Sequence, residues 1–118
     1  YVQRDKRIIV ITNEHNIGLT KSLNKGLSIA RGQYIARMDA DDISLPERFE
    51  MQFAFLEEHP DIHVCGCNFS FFGDVSIFSN KKSHLPINNE EIVAFLKCKN
   101  PIAHPTVMMR RKILGECV

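Results

Sequence analysis

No stretch of this chain is apolar for long enough to span a bilayer, which removes the helical integral-membrane classes. An excess of one charge is lacking too. The 15 Lys and Arg stand against 14 Asp and Glu, a net +1. No field of one sign recommends nucleic acid or an anionic membrane as a general partner. Four cysteines occur, at 65, 67, 98 and 117, and none forms a C-x-x-C pair. That spacing does not suit zinc. Buried reduced thiols are expected instead, in a reducing cytosol, with Cys65 and Cys67 on one face of a strand. Repeats and low-complexity tracts are missing. So are an initiating Met and a signal peptide, and an excerpt from a longer protein is expected.

What is present is an ordinary globular composition, 44% hydrophobic and 25% charged over 118 residues. This suffices for one domain, 1–118, and not for two. Arg7 to Thr12 is a continuous apolar run rich in β-branched residues, as in a strand covered on both faces of a parallel sheet. After the polar turn from Asn13 to Gly18, the stripe Leu19, Leu23, Leu27, Ala30 predicts an amphipathic helix, with Gly32 as its stop. Gln33 to Met38 follows as a second strand, and strand, helix, strand over about thirty residues make a βαβ unit.

Ser44-Leu45-Pro46-Glu47 matches a capping box, opening a helix from Leu45 to about Glu58 with Phe49, Phe53 and Leu56 on one face. His59-Pro60 ends it. Ile62 to Phe72 reads as a third strand region, Gly73-Asp74 as a turn, and Val75 to Phe78 as a returning strand. Ser79 to Ser83 reads as an exposed loop. Asn88 to Lys97 reads as a helix burying Ile92, Phe95 and Leu96, and Thr106 to Met109 as a short strand. The fold class expected is α/β, a mostly parallel sheet flanked by helices.

The chemistry gathers at Asp39-Ala40-Asp41-Asp42, three carboxylates at a strand end. One reading is a cap for the next helix, served by Asp42 or Ser44. The other is a hard divalent cation, Mg²⁺ or Mn²⁺, which takes carboxylate and phosphate oxygens. If the strand continues, Asp39 and Asp41 point the same way and Asp42 points elsewhere, in a structural role. Gly18 precedes a helix N-terminus, where backbone N–H groups favour an anion. Asn24 stands in mid-helix, where asparagine has poor propensity; either a specific hydrogen bond or a solvated face accounts for it.

In order, Asn16-x-Gly18-Leu19, Leu23-Asn24-x-Gly26-Leu27, Ala30-x-Gly32-x-Tyr34-Ile35, Asp39-Ala40-Asp41-Asp42 and Pro46-Glu47-Arg48-Phe49 with Gln52 carry a family resemblance. Val64-x-Gly66 and the stretch from Asn100-Pro101 through His104-Pro105 to Arg110-Arg111 extend it. The chain resembles family 2 glycosyltransferases of the GT-A fold, in the branch that builds bacterial surface polysaccharides, and it resembles the middle of their catalytic domain.

The resemblance implies transfer of a sugar from a nucleotide-diphosphate donor, a UDP-sugar foremost, to a glycan or lipid-linked acceptor with inversion. It implies Asp41 as metal ligand, with Asp39 on the ribose or sharing the metal, and Asn16, Gly18 and Asn24 lining the donor side. His104 is placed near the acceptor, or merely packs. The family's general base is expected beyond Val118, so the 118-residue chain alone is expected to be inactive. No nucleic acid is expected as partner. Self-association through exposed strand edges is expected, and a cytoplasmic location, peripheral to the inner membrane face in the full-length protein. Two alternatives stay open: a nucleotidyltransferase, which also sets a metal-binding Asp at a strand end, and a non-catalytic binding module that keeps the fold.

Overall fold

Local chemistry decides where each helix starts. Gly18 adopts φ 82°, a left-handed conformation that costs glycine little, and turns the chain into α1 (Leu19–Ile29). Asn88 accepts from the Glu91 backbone N–H at 2.9 Å and caps α3 (Asn89–Leu96), whose first turn carries Glu90 and Glu91 at the positive dipole end. Between them lie β1 (Tyr34–Ala36), α2 (Arg48–Glu58) and β2 (Val64–Cys65); β3 (Met108–Arg110) follows α3. The computed structural model describes residues 1–73 and 81–115. They fall into two compact units, one of Tyr1–Gly32 with residues 114–115, the other of Gln33–Ile113.

The first unit holds α1. Leu23, Leu27 and Ala30 are half-buried as the stripe requires, while Leu19 is 63% exposed. The helix stops because Ala30 turns to extended backbone, not through a left-handed Gly32. Arg7 to Thr12 was expected to be a strand and is not one. β-branched residues favour extended backbone, but a strand exists only when a neighbour completes its hydrogen bonds. Among the described residues none does so, and Val10 remains 65% exposed.

The second unit carries the sheet, in order β1-β3-β2. Tyr34 faces Arg110, Ala36 faces Met108, and Val64 faces Met109, all antiparallel. The mostly parallel sheet is therefore corrected. β1 and β2 do run the same way, with α2 as the connection between them, but β3 lies between them in the opposite direction. Gly66 permits a close approach beside this sheet: a Cβ there would stand 2.7 Å from Ile102 Cγ2.

Helix α2 begins three residues later than expected, at Arg48, and Glu47 makes no side-chain cap. Its buried side chains are Gln52 and Leu56, while Phe49 and Phe53 are each 48% exposed. The buried stripe is turned toward Gln52 because that amide finds partners inside. Phe53 instead meets Tyr34 edge-on at 5.3 Å, and Phe49 lies under the Arg48 guanidinium.

Leu56, Val107 and Met108 are the buried apolar side chains among the described residues, with Pro101 also fully enclosed. The α3 residues expected to be buried are not: Leu96 is 59% exposed and Ile92 half-buried. The region Ile62–Phe72 splits into β2 and a second pairing, in which Ser70 faces Lys82 antiparallel. Lys82 is thus paired, not looped. Asp74, the returning strand over 75–78 and residues 79–80 lie outside the described residues.

Candidate active site

The acidic segment is positioned by the end of the sheet. β1 stops at Ala36, and the Arg37 N–H still donates to Val107 O at 2.9 Å. The chain then folds into a turn closed by Asp42 N–H to Asp39 O at 3.3 Å. The alternation expected of Asp39 and Asp41 needs a continuing strand and does not hold. The turn assigns the three carboxylates differently. Arg37 Nη2 donates to Asp39 Oδ1 at 2.6 Å, and the Arg37 side chain is only 11% exposed. Asp41 and Asp42 line a cavity of about 1400 Å³, and neither carboxylate has a hydrogen bond or ion pair among the described residues.

His104 lines the same cavity, on the 3₁₀ turn His104–Thr106, and is solvent-exposed. Thr106 anchors that turn. Its hydroxyl accepts from the Cys67 N–H at 2.9 Å, and its one hydrogen faces Ala103 O at 2.8 Å and Cys67 O at 3.2 Å. Phe69 and Phe71, in edge contact at 5.3 Å, form an aromatic part of the wall. Cys67 belongs to it as well. Burial pushes both the Cys65 and Cys67 thiols up, with the Arg48 guanidinium pulling the other way.

The structure thus brings Asp41, Asp42 and His104 to one cavity. Asp39 stands beside it in the same turn, held by Arg37. Asn16, Gly18 and Asn24 belong to the first unit. There Asn16 Oδ1 accepts from the Gly18 N–H at 2.9 Å and shapes the turn into α1. Asn24 is exposed on α1, and its side chain has no hydrogen bond among the described residues.

Sequence reasoning gave no site role to Arg48 or Gln52. Arg48 lines the cavity and donates to Arg37 O at 2.7 Å and to Gln52 Oε1 at 3.1 Å. The signal was a glutamine four residues before Leu56, a polar residue on the stripe meant for the core.

Among the described residues, no three His, Cys, Asp or Glu side chains cluster as a metal cage. One or two carboxylates on a cavity wall still fit Mg²⁺ or Mn²⁺, which draw remaining ligands from water and substrate phosphates. No helix among the described residues is long and apolar enough to cross a membrane.

Comparison with known proteins places the chain in a family. The family model for glycosyl transferase family 2 matches residues 1–118. An uncharacterised glycosyltransferase of Methanocaldococcus jannaschii is 40% identical over 116 residues, 98% of this chain and 40% of that protein. The amylovoran biosynthesis glycosyltransferase AmsE of Erwinia amylovora is 38% identical over 104 residues, 88% of this chain and 38% of its own length. A UDP-Gal:alpha-D-GlcNAc-diphosphoundecaprenol beta-1,3-galactosyltransferase of Escherichia coli is 32% identical over 104 residues, 85% and 36% of the two chains. The chain therefore spans about 40% of the length of the curated relatives it matches. No solved structure matches. The relatives include glycosyltransferases of bacterial polysaccharide biosynthesis, and the family implies the GT-A fold within this mixed α/β chain. With the match running from end to end, the chain belongs to glycosyl transferase family 2.

Proposed function

We propose that this chain supplies the donor-binding part of an inverting transferase that moves a sugar from a UDP-sugar to a glycan or lipid-linked acceptor. The observation that carries the reading is the division of the acidic turn: Asp39 is neutralised by Arg37, while Asp41 meets the cavity with no hydrogen bond or ion pair to its carboxylate among the described residues. Asp41 would hold the divalent cation, with Asp42 beside it and Asp39 on the ribose side. A bound Mg²⁺ or Mn²⁺ supplies charge stabilisation at the departing diphosphate. The Arg37 and Arg48 contacts keep the turn in place, so the carboxylates need not reorganise as charge develops. His104 reaches into the same cavity from the acceptor side. The name of the Escherichia coli relative supports both UDP and a lipid-linked acceptor. The general base is assigned outside this chain, and turnover to the full-length protein. β1, at one edge of the sheet, supports self-association along that strand.

Titration of the full-length protein with UDP, with and without Mn²⁺, tests the reading. Binding should require the metal and weaken at least tenfold in Asp41→Ala, and less in Asp39→Ala. Metal-independent binding, or an Asp41→Ala variant equal to the parent, would overturn it and favour a binding module.

A further inference from the structure

Gln52 is the buried polar side chain among the described residues, 4% exposed. A buried amide is costly unless its donors and acceptor are matched. Here they are. Oε1 accepts from Arg48 Nε at 3.1 Å, and Nε2 donates to Thr106 O at 2.8 Å, with Cys65 Sγ at 3.7 Å. Arg48 in turn donates through Nη2 to Arg37 O at 2.7 Å. Both carbonyls lie where β3 loses its neighbours, Arg37 O at the end of the β1 pairing and Thr106 O on the β2 side, where pairing ends at Cys65 and Met108. The β1–β3 ladder ends at Ala36 and Met108, with one more bond from Arg37 N to Val107 O. Beyond it the two strands part, one toward the acidic turn and the other toward the His104 turn. The carbonyls of Arg37 and Thr106 stand at that fork, and one turn of α2 takes both. Arg48 and Gln52 are four residues apart on one helix face, about 6 Å along the axis, so the helix acts as a rigid spacer between them.

We infer that Gln52 and Arg48 are positioning residues, replacing the sheet where it ends and setting the span across the cavity between the acidic turn and the His104 turn. That the acidic turn serves the donor and the His104 turn the acceptor rests on the transferase reading; the tie between the two turns does not. A misplacement of about 1 Å between reacting groups can cost a hundredfold in rate. Loosening the tie at its Thr106 end therefore lowers kcat and leaves the acidic turn, and with it the donor affinity, in place.

The experiment uses the full-length protein and two variants. Gln52→Met removes both bonds at similar volume. Gln52→Glu keeps the oxygen facing Arg48 and drops the N–H aimed at Thr106, and it serves alone should the methionine variant not fold. Amide exchange is followed at Asp42, Thr106 and Val107, whose N–H groups close the two turns. Gln52→Met should speed exchange at all three at least tenfold, with the interior amides of α2 unchanged. Gln52→Glu should do so at Thr106 and Val107 alone. In Gln52→Glu, which keeps the Arg48 hold on the acidic turn, kcat should fall at least tenfold while UDP–Mn²⁺ affinity stays within twofold; in Gln52→Met kcat should fall at least as far. Exchange rising evenly through the whole second unit, or kcat unchanged, would overturn the inference and leave Gln52 an ordinary packing residue. If the parent protein shows no transfer, the exchange pattern still decides the tie. Failure of UDP binding strikes only the functional reading.

Discussion

Gly66 has no room for a side chain. A Cβ at this position would lie 2.7 Å from Ile102 Cγ2 and 3.2 Å from Thr106 Oγ1. Carbon atoms in good contact sit about 3.5–4.0 Å apart, so Gly66→Ala demands roughly 1 Å of movement. The neighbour cannot swing away cheaply, because Ile102 is β-branched and stiff at χ1. Overpacking of this kind costs about 1–3 kcal/mol. At about 2 kcal/mol, and with a urea m value of about 2 kcal/mol/M, the unfolding midpoint should fall by about 1 M with the slope unchanged.

The partner of the clash gives the control. Ile102→Ala removes Cγ2, so Gly66→Ala should cost about 1 kcal/mol less in that background, a coupling that a double-mutant cycle reads directly. Thr106 adds a functional side. Its hydroxyl clamps Cys67 to the His104 turn, and displacing it should lower kcat in the full-length protein as well. An unchanged midpoint for Gly66→Ala, or a cost independent of Ile102, would refute the close-approach argument.

Arg110→Met should destabilise by about 3 kcal/mol or more, since it strips partners from the Leu56 and Ile62 carbonyls and the Tyr34 hydroxyl at once; a drop in the urea midpoint checks it. The thiols set an alkaline limit. Burial first, then for Cys65 the neighbouring Cys67, raises both above the ordinary 9.0, so the unfolded chain loses its thiol protons before the folded one. That contribution is complete below about pH 9 and is lost as pH rises through the folded values; Cys65→Ala/Cys67→Ala should flatten the decline. At pH 7.5 a small alkylating reagent should modify the exposed Cys98 before either.

Helices were legible because their signals are local. The Asn88 cap and the Gly18 start can be read from a few neighbouring letters, and the 3.6-residue stripe places α1 and α2 without knowledge of the rest. Strands depend on partners far along the chain. Arg7 to Thr12 has the residues of a strand and no ladder among the described residues, and nothing in its own letters could say so. The direction of the sheet was hidden for the same reason. β3, some forty residues after β2, is what separates β1 from β2, and its insertion is a non-local event. The place of the acidic cluster just beyond a strand was readable. The aim of its carboxylates was not, because it turns on whether the strand runs through Asp41 or yields at Ala36 to a turn.

That yielding point ties fold to function. A sheet that continued through the acidic cluster would spend the Arg37 carbonyl on β3 and alternate the carboxylates between two faces, and a longer β2 would take the Thr106 carbonyl. Ending the β1 and β2 ladders beside Met108 frees those carbonyls, and α2 then needs polar side chains inside its buried face to satisfy them. The glutamine that looks misplaced on a core stripe follows from this requirement. It also explains why Phe49 and Phe53 sit at the edge of the helix face instead of its centre: the centre is occupied by the pair that holds the fork open. The cavity between the parted strands, with Asp41 on one branch and His104 on the other, is what that arrangement creates.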